Sequence, residues 1–283
     1  MNSLFRLTKR DLLFLETLGS YGVLSSAQIH KLFFGAIKRT VVLKRLRVLE
    51  ERKWIRRVGF LDFGLAAWGI TQKSKQELQI PFSYGRANQN TLSHDITVSE
   101  LRSKLESTGV VSGFKASFHF RHQLTPQDKR LGIFSSDFLM PDGEFKLSAL
   151  SGEKLVALEL ELTLKAKRRY FELWSKYIRD KESLWRVWYV VPTKRMGEKL
   201  LSFEAEWRSA GHDSKKPLLL WSAMEEVLVK PLTTHLHHSS GTTSISALSL
   251  KKTTQPPAQA LSRSTEKPLP LNSNQVSEPI QKN

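Results

Sequence analysis

Three carboxylates near the middle of the chain, Asp137, Glu159 and Glu161, have the residue types to bind a metal ion. Apolar and polar residues alternate from Val156 to Lys165, so a strand there would carry both glutamates and Lys165 on one face. At about 6 Å and an effective dielectric near 20, two such charges repel by roughly 3 kcal/mol. A divalent cation would remove this cost, and Asp137 on a preceding strand would supply a third oxygen ligand. Alternatively, the glutamates lie on the solvated outer face of an antiparallel strand.

A basic segment follows this strand. It predicts a helix over 165–180 with Phe171, Trp174 and Ile178 on its inner face. Four residues near its start would hold a DNA strand by its phosphates: Lys165, Lys167, Arg168 and Arg169.

The composition indicates a polyanionic partner. The 283 residues include 44 Lys and Arg against 27 Asp and Glu, a formal charge of +17 that would attract nucleic acid or an anionic membrane surface. Cysteine is absent, which excludes disulfides and cysteine-based metal sites or catalysis. Residues 1–10 lack the apolar core of a signal peptide, and no apolar run approaches a membrane span. We therefore expect a soluble, cytoplasmic protein with no membrane insertion.

The first eighty residues have the pattern of a winged helix-turn-helix domain. Thr8-Lys-Arg-Asp11 and Ser25-Ser-Ala-Gln28 are capping boxes that would open two helices. A third helix is predicted over about 38–53, and strands over 54–60 and 66–70 would form the wing.

The polar face of the third helix fits the DNA major groove. Thr40, Lys44 and Arg47 share this face at helical spacing and would approach base edges, while wing residues would contact phosphates. The alternative is a winged helix that binds protein. The residues predicted here to bind DNA are Lys38, Arg39, Thr40, Lys44, Arg47, Arg56 and Arg57.

The rest of the folded chain is predicted to be α+β. A helix over 93–105 would bury His94 on its apolar face as a packed residue with one hydrogen-bonded nitrogen. Pro141-Asp-Gly143 is a turn signal, so Asp142 is interpreted as a turn residue. Strands are predicted at 113–119, 134–140, 156–162, 184–191 and 216–221, with a further helix over 197–208. This order indicates a mixed sheet with flanking helices.

An acid on one strand followed by an acid pair on the next resembles the restriction-endonuclease-like core, the PD-(D/E)xK fold. With a winged helix upstream, the motifs His94-Asp-Ile-Thr-Val98, Ser136-Asp137 and Glu159-Leu-Glu161 resemble the replication-relaxation family, over about residues 5–195. That family includes the MobC-type relaxases of mobilisable plasmids. The resemblance implies that Asp137, Glu159 and Glu161 bind Mg²⁺ or Mn²⁺ and nick double-stranded plasmid DNA at a transfer origin.

Two positions depart from the pattern of the fold. Ser136 stands where these nucleases commonly have proline, and Glu161 stands where the usual motif has lysine. Lys165 is a candidate catalytic substitute for that lysine, although it could equally hold the DNA backbone. Glu161 also keeps open a non-catalytic DNA-binding replication or transcription regulator with a degenerate nuclease domain. A relaxase with a catalytic tyrosine is disfavoured, because the eight histidines are scattered or near the C-terminus.

The predicted boundaries are a winged-helix domain at 1–80, a linker at 81–93, a nuclease domain at 94–231 and a disordered tail at 232–283. The tail is rich in Ser, Thr, Pro, Gln and Lys, and cannot bury enough apolar surface to offset its ordering entropy. It could contact DNA or a coupling or relaxosome protein. Its histidines, His235, His237 and His238, are weak candidates for metal ligands.

Overall fold

The structure is a computed structural model, and it describes residues 6–61, 64–80, 89–121, 139–180, 184–212 and 218–248. Asp137 and most of the strand predicted at 134–140 lie outside these residues. Residues 1–252 form one compact unit. It is α+β, as predicted.

Helices and a small antiparallel sheet form the first part of this unit. In chain order they are α1 (Lys9–Tyr21), β1 (Leu24–Ser25), α2 (Ser26–Ile29) with a π-helical turn (His30–Phe34), α3 (Arg39–Glu51), β2 (Ile55–Phe60), β3 (Ala66–Ile70) and α4 (Gln72–Glu77). The sheet order is β1-β3-β2. Both predicted capping boxes are present, Thr8 with Asp11 and Ser25 with Gln28. The prediction of three helices followed by a hairpin is confirmed.

Apolar spacing orients α3. Val42, Leu46 and Leu49 lie on one face and are buried in the same core as side chains of α1. Asp11 of α1, 2% exposed, also accepts a hydrogen bond of 3.0 Å from Arg45 Nε. These contacts hold the opposite face of α3 towards solvent.

A seven-stranded mixed sheet with flanking helices forms the second part. The prediction of a mixed sheet with flanking helices is confirmed, but three of its strands, at 143–149, 235–238 and 241–244, were not predicted. Its elements are α5 (Gln89–Glu106), β4 (Val111–Ala116), α6 (Ser117–Arg121), β5 (Gly143–Ala149), β6 (Gly152–Leu160), α7 (Lys167–Asp180), β7 (Leu184–Val191), α8 (Lys194–Ser209), β8 (Leu219–Ala223), α9 (Met224–Val229), a 3-10 turn (Pro231–Thr233), β9 (His235–His238), β10 (Gly241–Ser244) and α10 (Ile245–Leu248). The strand order is β10-β9-β8-β7-β6-β5-β4, with β6, β7 and β8 parallel and the outer pairs antiparallel.

Helices cover both faces of this sheet. Val156, Leu158 and Leu160 of β6 pack in one core with residues of α5. Ala157 points to the other face, where it packs in a second core with residues of α7 and α8. The side-chain alternation predicted for β6 is therefore correct as far as Leu160, where the strand ends.

The strand before β6 differs from the prediction. It is β5, which begins at Gly143, so the three residues interpreted as a turn lead directly into a strand. A Cβ atom on Gly143 would lie 2.4 Å from Cζ of Phe114, so glycine is required by close packing across the sheet. Asp142 therefore lies directly before β5, between the edge strand β4 and β6.

Both predicted boundaries around the second part are wrong in detail. α5 begins at Gln89, inside the predicted linker at 81–93, of which 81–88 lie outside the described residues. The tail predicted as disordered from 232 contains β9, β10 and α10. Leu236 and Ile245 are buried in the core, which offsets the entropy of ordering this short segment. Residues 249–283 lie outside the described residues.

Helix α5 connects the two parts of the unit. Arg102 Nη1 donates to the carbonyl oxygen of Ser20 at 2.6 Å, and Ser99 Oγ donates to that of Val23 at 2.9 Å. Tyr21 Oη donates to Glu106 at 2.9 Å. Leu92 is fully buried in a small cluster with residues of the first part.

None of the described helices is long and apolar enough to cross a membrane.

Candidate active site

Asp142 and Glu159 meet at one end of the β5–β6 hairpin. Gly143 pairs with Leu158 in antiparallel register, so the residues just beyond this pair, Asp142 and Glu159, are neighbours. The backbone N–H of Leu160 donates to Asp142 Oδ2 at 2.8 Å, which fixes the aspartate against the end of β6. Asp142 thus lies in a bend, as its turn interpretation predicts, but its side chain is held against β6, which the sequence did not indicate.

His94 on α5 holds the other side of Asp142. Its Nε2 lies 3.1 Å from Asp142 Oδ2, and its Nδ1 lies 3.3 Å from Asp95 Oδ1. Burial opposes protonation, but the hydrogen bonds and charges of Asp142 and Asp95 outweigh it and raise the pKa of His94 to about 10. The ring is thus an imidazolium at neutral pH. The prediction of a packed histidine with one bonded nitrogen is corrected, because both nitrogens face carboxylates.

Glu159 is half-buried and lies beside two further carboxylates, those of Asp142 and Glu161. Burial, followed by the charge of Asp142, raises its pKa to about 8, although a hydrogen bond from Tyr177 Oη to Glu159 Oε1 and the charge of Lys165 act in the opposite direction. The solvated strand face that was the alternative for the glutamates is therefore excluded.

Glu161 is 4% exposed and is bound by Lys165. Lys165 Nζ lies 2.9 Å from Glu161 Oε1 and 3.0 Å from Oε2. The chain leaves the strand after Leu160, so the prediction that strand phase aligns Lys165 with the glutamates is wrong. The lysine reaches Glu161 from the loop instead, where its backbone N–H donates to Tyr170 Oη at 3.0 Å.

The chemistry of Asp142 and Glu159 fits a hard divalent cation. Asp142 Oδ1 and Glu159 Oε2 have no hydrogen-bond partner among the described residues, and burial, followed by the charge of Asp142, raises the pKa of Glu159. In the part of the chain that the structure describes, no group of three or more His, Asp or Glu side chains is arranged to hold a metal. Mg²⁺ is commonly bound by only one or two carboxylates together with substrate phosphates and water.

The predicted DNA-binding face of α3 is exposed. Lys38, Arg39, Thr40, Lys44 and Arg47 all point into solvent, opposite the buried apolar face.

The two wing arginines, Arg56 and Arg57, are less available to contact DNA than the cations of α3. Arg57 Nη2 lies 2.8 Å from Glu50 Oε2, and its guanidinium stands over the ring of Trp68. Arg56 is half-buried.

The basic start of α7 is partly neutralised within the protein. Lys167, Arg168 and Arg169 are exposed. Lys167 Nζ lies 2.5 Å from Glu206 Oε2, and Arg168 Nε lies 2.8 Å from Glu172 Oε1. DNA would have to compete with these carboxylates for the cations.

Sequence reasoning missed Asp142, Asp95 and the aromatic residues that position the glutamates. Ile178 is 44% exposed, and the buried face of α7 is instead Tyr170, Trp174 and Tyr177, which follow the i, i+4, i+7 spacing. That spacing was a usable signal. For Asp142, the available signal was a Pro-Asp pair directly before the alternating run from Glu144 to Ala149.

No protein-family model matches the sequence, and neither a curated protein nor a solved structure matches the chain.

Proposed function

We propose that the protein is a metal-dependent endonuclease of the replication-relaxation type that binds a plasmid transfer origin and nicks one DNA strand. One observation carries this proposal. Asp142 and Glu159 adjoin at the end of the β5–β6 hairpin, with Glu161 and Lys165 following directly. Paired carboxylates beside a lysine are the groups that metal-assisted phosphodiester cleavage requires.

The order of the elements supports the resemblance. Apart from the short α6 between β4 and β5, the elements α5, β4, β5, β6, α7 and β7 follow the order helix, strand, strand, strand, helix, strand, which the nuclease core implies. Pro141-Asp142 also supplies the Pro-Asp pair that Ser136-Asp137 lacks. We therefore assign the first acid of the motif to Asp142 in place of Asp137. In the first part, α1 to α3 with the β2–β3 hairpin support a winged helix-turn-helix.

The residues of the site would act as follows. Asp142 and Glu159 would hold Mg²⁺ or Mn²⁺, which when bound activates a water molecule and stabilises charge on the scissile phosphate. His94 orients Asp142, and Tyr177 orients Glu159. Lys165 would move from Glu161 to the phosphate as DNA enters, since its flexible side chain is 41% exposed.

Exposed cations would bring DNA to this site. The solvent face of α3 suits the major groove, and the start of α7 lies directly after the acidic centre in the chain. Binding through these cations would weaken steeply with salt, because each phosphate contact releases counterions.

A DNA-binding regulator without catalysis is the second candidate. The observation that favours it is the Lys165–Glu161 ion pair, which occupies both oxygens of the third carboxylate.

Nicking of supercoiled plasmid separates the two candidates. A plasmid carrying its own transfer origin is incubated with protein and Mg²⁺ or Mn²⁺, and then with chelator. Open circles should form only with metal, and Asp142→Asn should prevent their formation. Glu153→Gln is the matched control, because Glu153 lies on β6 but is 57% exposed. Specific origin binding without any nicking would favour the regulator.

Asp137→Asn distinguishes the two assignments of the first acid. With Asp142 as ligand, Asp137→Asn keeps most of the nicking activity. Full loss with Asp137→Asn and retention with Asp142→Asn would return the assignment to Asp137.

A further inference from the structure

A cavity of about 720 Å³ opens beside the acidic site. It lies where the parallel strands β6 and β7 end, between the loop after Leu160 and the first turns of α8. Cavities of this size accommodate small ligands or single units of a polymer. No residue of the cavity wall takes part in the chemistry proposed above.

The cavity combines apolar walls with positive charge. Leu162 and Leu164 line it and are 37% and 43% exposed, and Met196 of α8 lines it beside them. Arg195 and Lys199, one helical turn apart, also line it. Arg195 has no ion-pair partner among the described residues, and Lys199 Nζ lies 5.0 Å from the ring centroid of Phe203. The carboxylate of Glu198, a further lining residue, lies 3.8 Å from Lys194 Nζ.

One short loop forms a wall of both the cavity and the acidic site. Glu161 and Lys165 at its ends bind one another next to Glu159, while Leu162 and Leu164 between them face the cavity. A polymer held at the acidic centre would therefore present its neighbouring unit to the cavity.

We propose that this cavity binds an unpaired nucleotide of the DNA strand, next to the phosphate held at the acidic site. The base packs against Leu162, Leu164 and Met196, and a phosphate contacts Arg195 and Lys199. A base within a duplex has its faces already stacked, so only an unstacked base offers apolar faces to these walls. The two cations beside the leucines favour a nucleotide over an apolar protein side chain, because a nucleotide carries a negatively charged phosphate and an apolar side chain does not. This inference deepens the proposed function and rests on it.

Binding in chelator tests the inference without cleavage. The probe is a single-stranded oligonucleotide of the origin strand containing 2-aminopurine, compared with its duplex. Fluorescence should rise when the base leaves its neighbours and enters the cavity. The intact protein should bind the single strand, and Arg195→Glu or Leu164→Gln should each weaken binding by about tenfold and remove the fluorescence rise.

Matched controls separate a change within the cavity from the same change of charge or apolar surface elsewhere. Lys230→Glu reverses an exposed cation that does not line the cavity, and Leu13→Gln changes a leucine that is 54% exposed on α1. Both should bind the oligonucleotide as the intact protein does. Equal weakening by controls and cavity variants would overturn the inference. So would self-association, measured by sedimentation, that Leu164→Gln abolishes while oligonucleotide binding is unchanged.

The two proposals fail in different ways. Plasmid nicking that all cavity variants retain, with no fluorescence rise, overturns the nucleotide cavity and leaves the nuclease. A fluorescence rise that the cavity variants lose, in a protein that never nicks, supports the cavity and overturns the nuclease.

Discussion

In α3, charged side chains point into solvent, whereas at the end of β6 they are half-buried or buried beside one another. Lys44 and Arg47 lie opposite an apolar face, so water screens them and their loss leaves the core intact. Asp142 and Glu159 lie where β5 and β6 adjoin, and burial together with the charge of Asp142 raises the pKa of Glu159. The cations of α3 can therefore bind a partner, and they contribute little to the free energy of unfolding. Ionisation of Glu159 beside Asp142 lowers stability, and a bound cation would offset that cost.

Glu159→Gln should have opposite effects on activity and stability, and these are the largest we expect. Nicking should fall by roughly a thousandfold, about 4 kcal/mol of barrier, because a metal ligand is weakened. The pKa of Glu159 in the folded protein, about 8, exceeds its ordinary value of 4.5. Unfolding therefore releases a proton between these values, and stability is lost as pH rises through them. At pH 8 the variant should be more stable by about 2 kcal/mol in urea unfolding.

Glu153→Gln is the control for this variant, since its exposed carboxylate should contribute little. A Glu159→Gln variant that is less stable than the intact protein at pH 8 would contradict the account of a repulsive buried pair.

Lys44→Ala combined with Arg47→Ala should weaken DNA binding and leave stability almost unchanged. Origin affinity should fall by about a hundredfold and the salt slope by about two, because two exposed cations are lost. The unfolding free energy should change by less than about 0.5 kcal/mol. Fluorescence anisotropy across a salt series and urea unfolding measure the two effects. Lys154→Ala combined with Lys230→Ala removes the same charge outside α3, and an equal loss of affinity there would show that α3 has no special role.

His94→Gln should remove a pH-dependent contribution to stability. The pKa of His94 lies near 10 in the fold against an ordinary 6.5. The contribution is complete below pH 6.5 and is lost as pH rises towards 10. At pH 7 we expect the variant to be less stable by about 2 kcal/mol, with a difference that disappears near pH 10. His238→Gln, at the end of β9, should follow the intact protein throughout.

Tyr177→Phe should have the smallest effect. It removes the hydrogen bond that favours ionised Glu159, so the pKa of Glu159 rises further and Mg²⁺ binding near pH 7 should weaken by about tenfold. Isothermal titration with Mg²⁺ measures this, and binding should recover at higher pH. Tyr21→Phe removes a similar hydrogen bond, from α1 to Glu106 on α5. It should leave Mg²⁺ binding unchanged.

The same contrast explains what could be predicted from the sequence. The face of α3 depends on residues three and four apart, so local periodicity was sufficient for Thr40, Lys44 and Arg47. The pair Asp142 and Glu159 depends on the register of β5 against β6 and on α5 folding back with His94. No local pattern contains that information.

Errors at Asp142 and in the tail share a physical cause. Pro141-Asp-Gly143 has turn composition, but the glycine is needed to pack against Phe114. The segment after 232 has polar composition, but two apolar residues, Leu236 and Ile245, reach a core built by distant strands. In both places tertiary packing overrode a composition that was correctly observed.

Helix α5 fixes the distance between the first part of the unit, which carries α3, and the acidic site. It carries His94 against Asp142 and, further along, Arg102 and Glu106 against the last residues of α1. A protein that reads DNA with α3 and cuts it beside Glu159 would then cut at a set number of base pairs from the sequence it reads. Inserting about five base pairs, half a helical turn, between recognition sequence and nick would turn the target phosphate to the far side of the duplex.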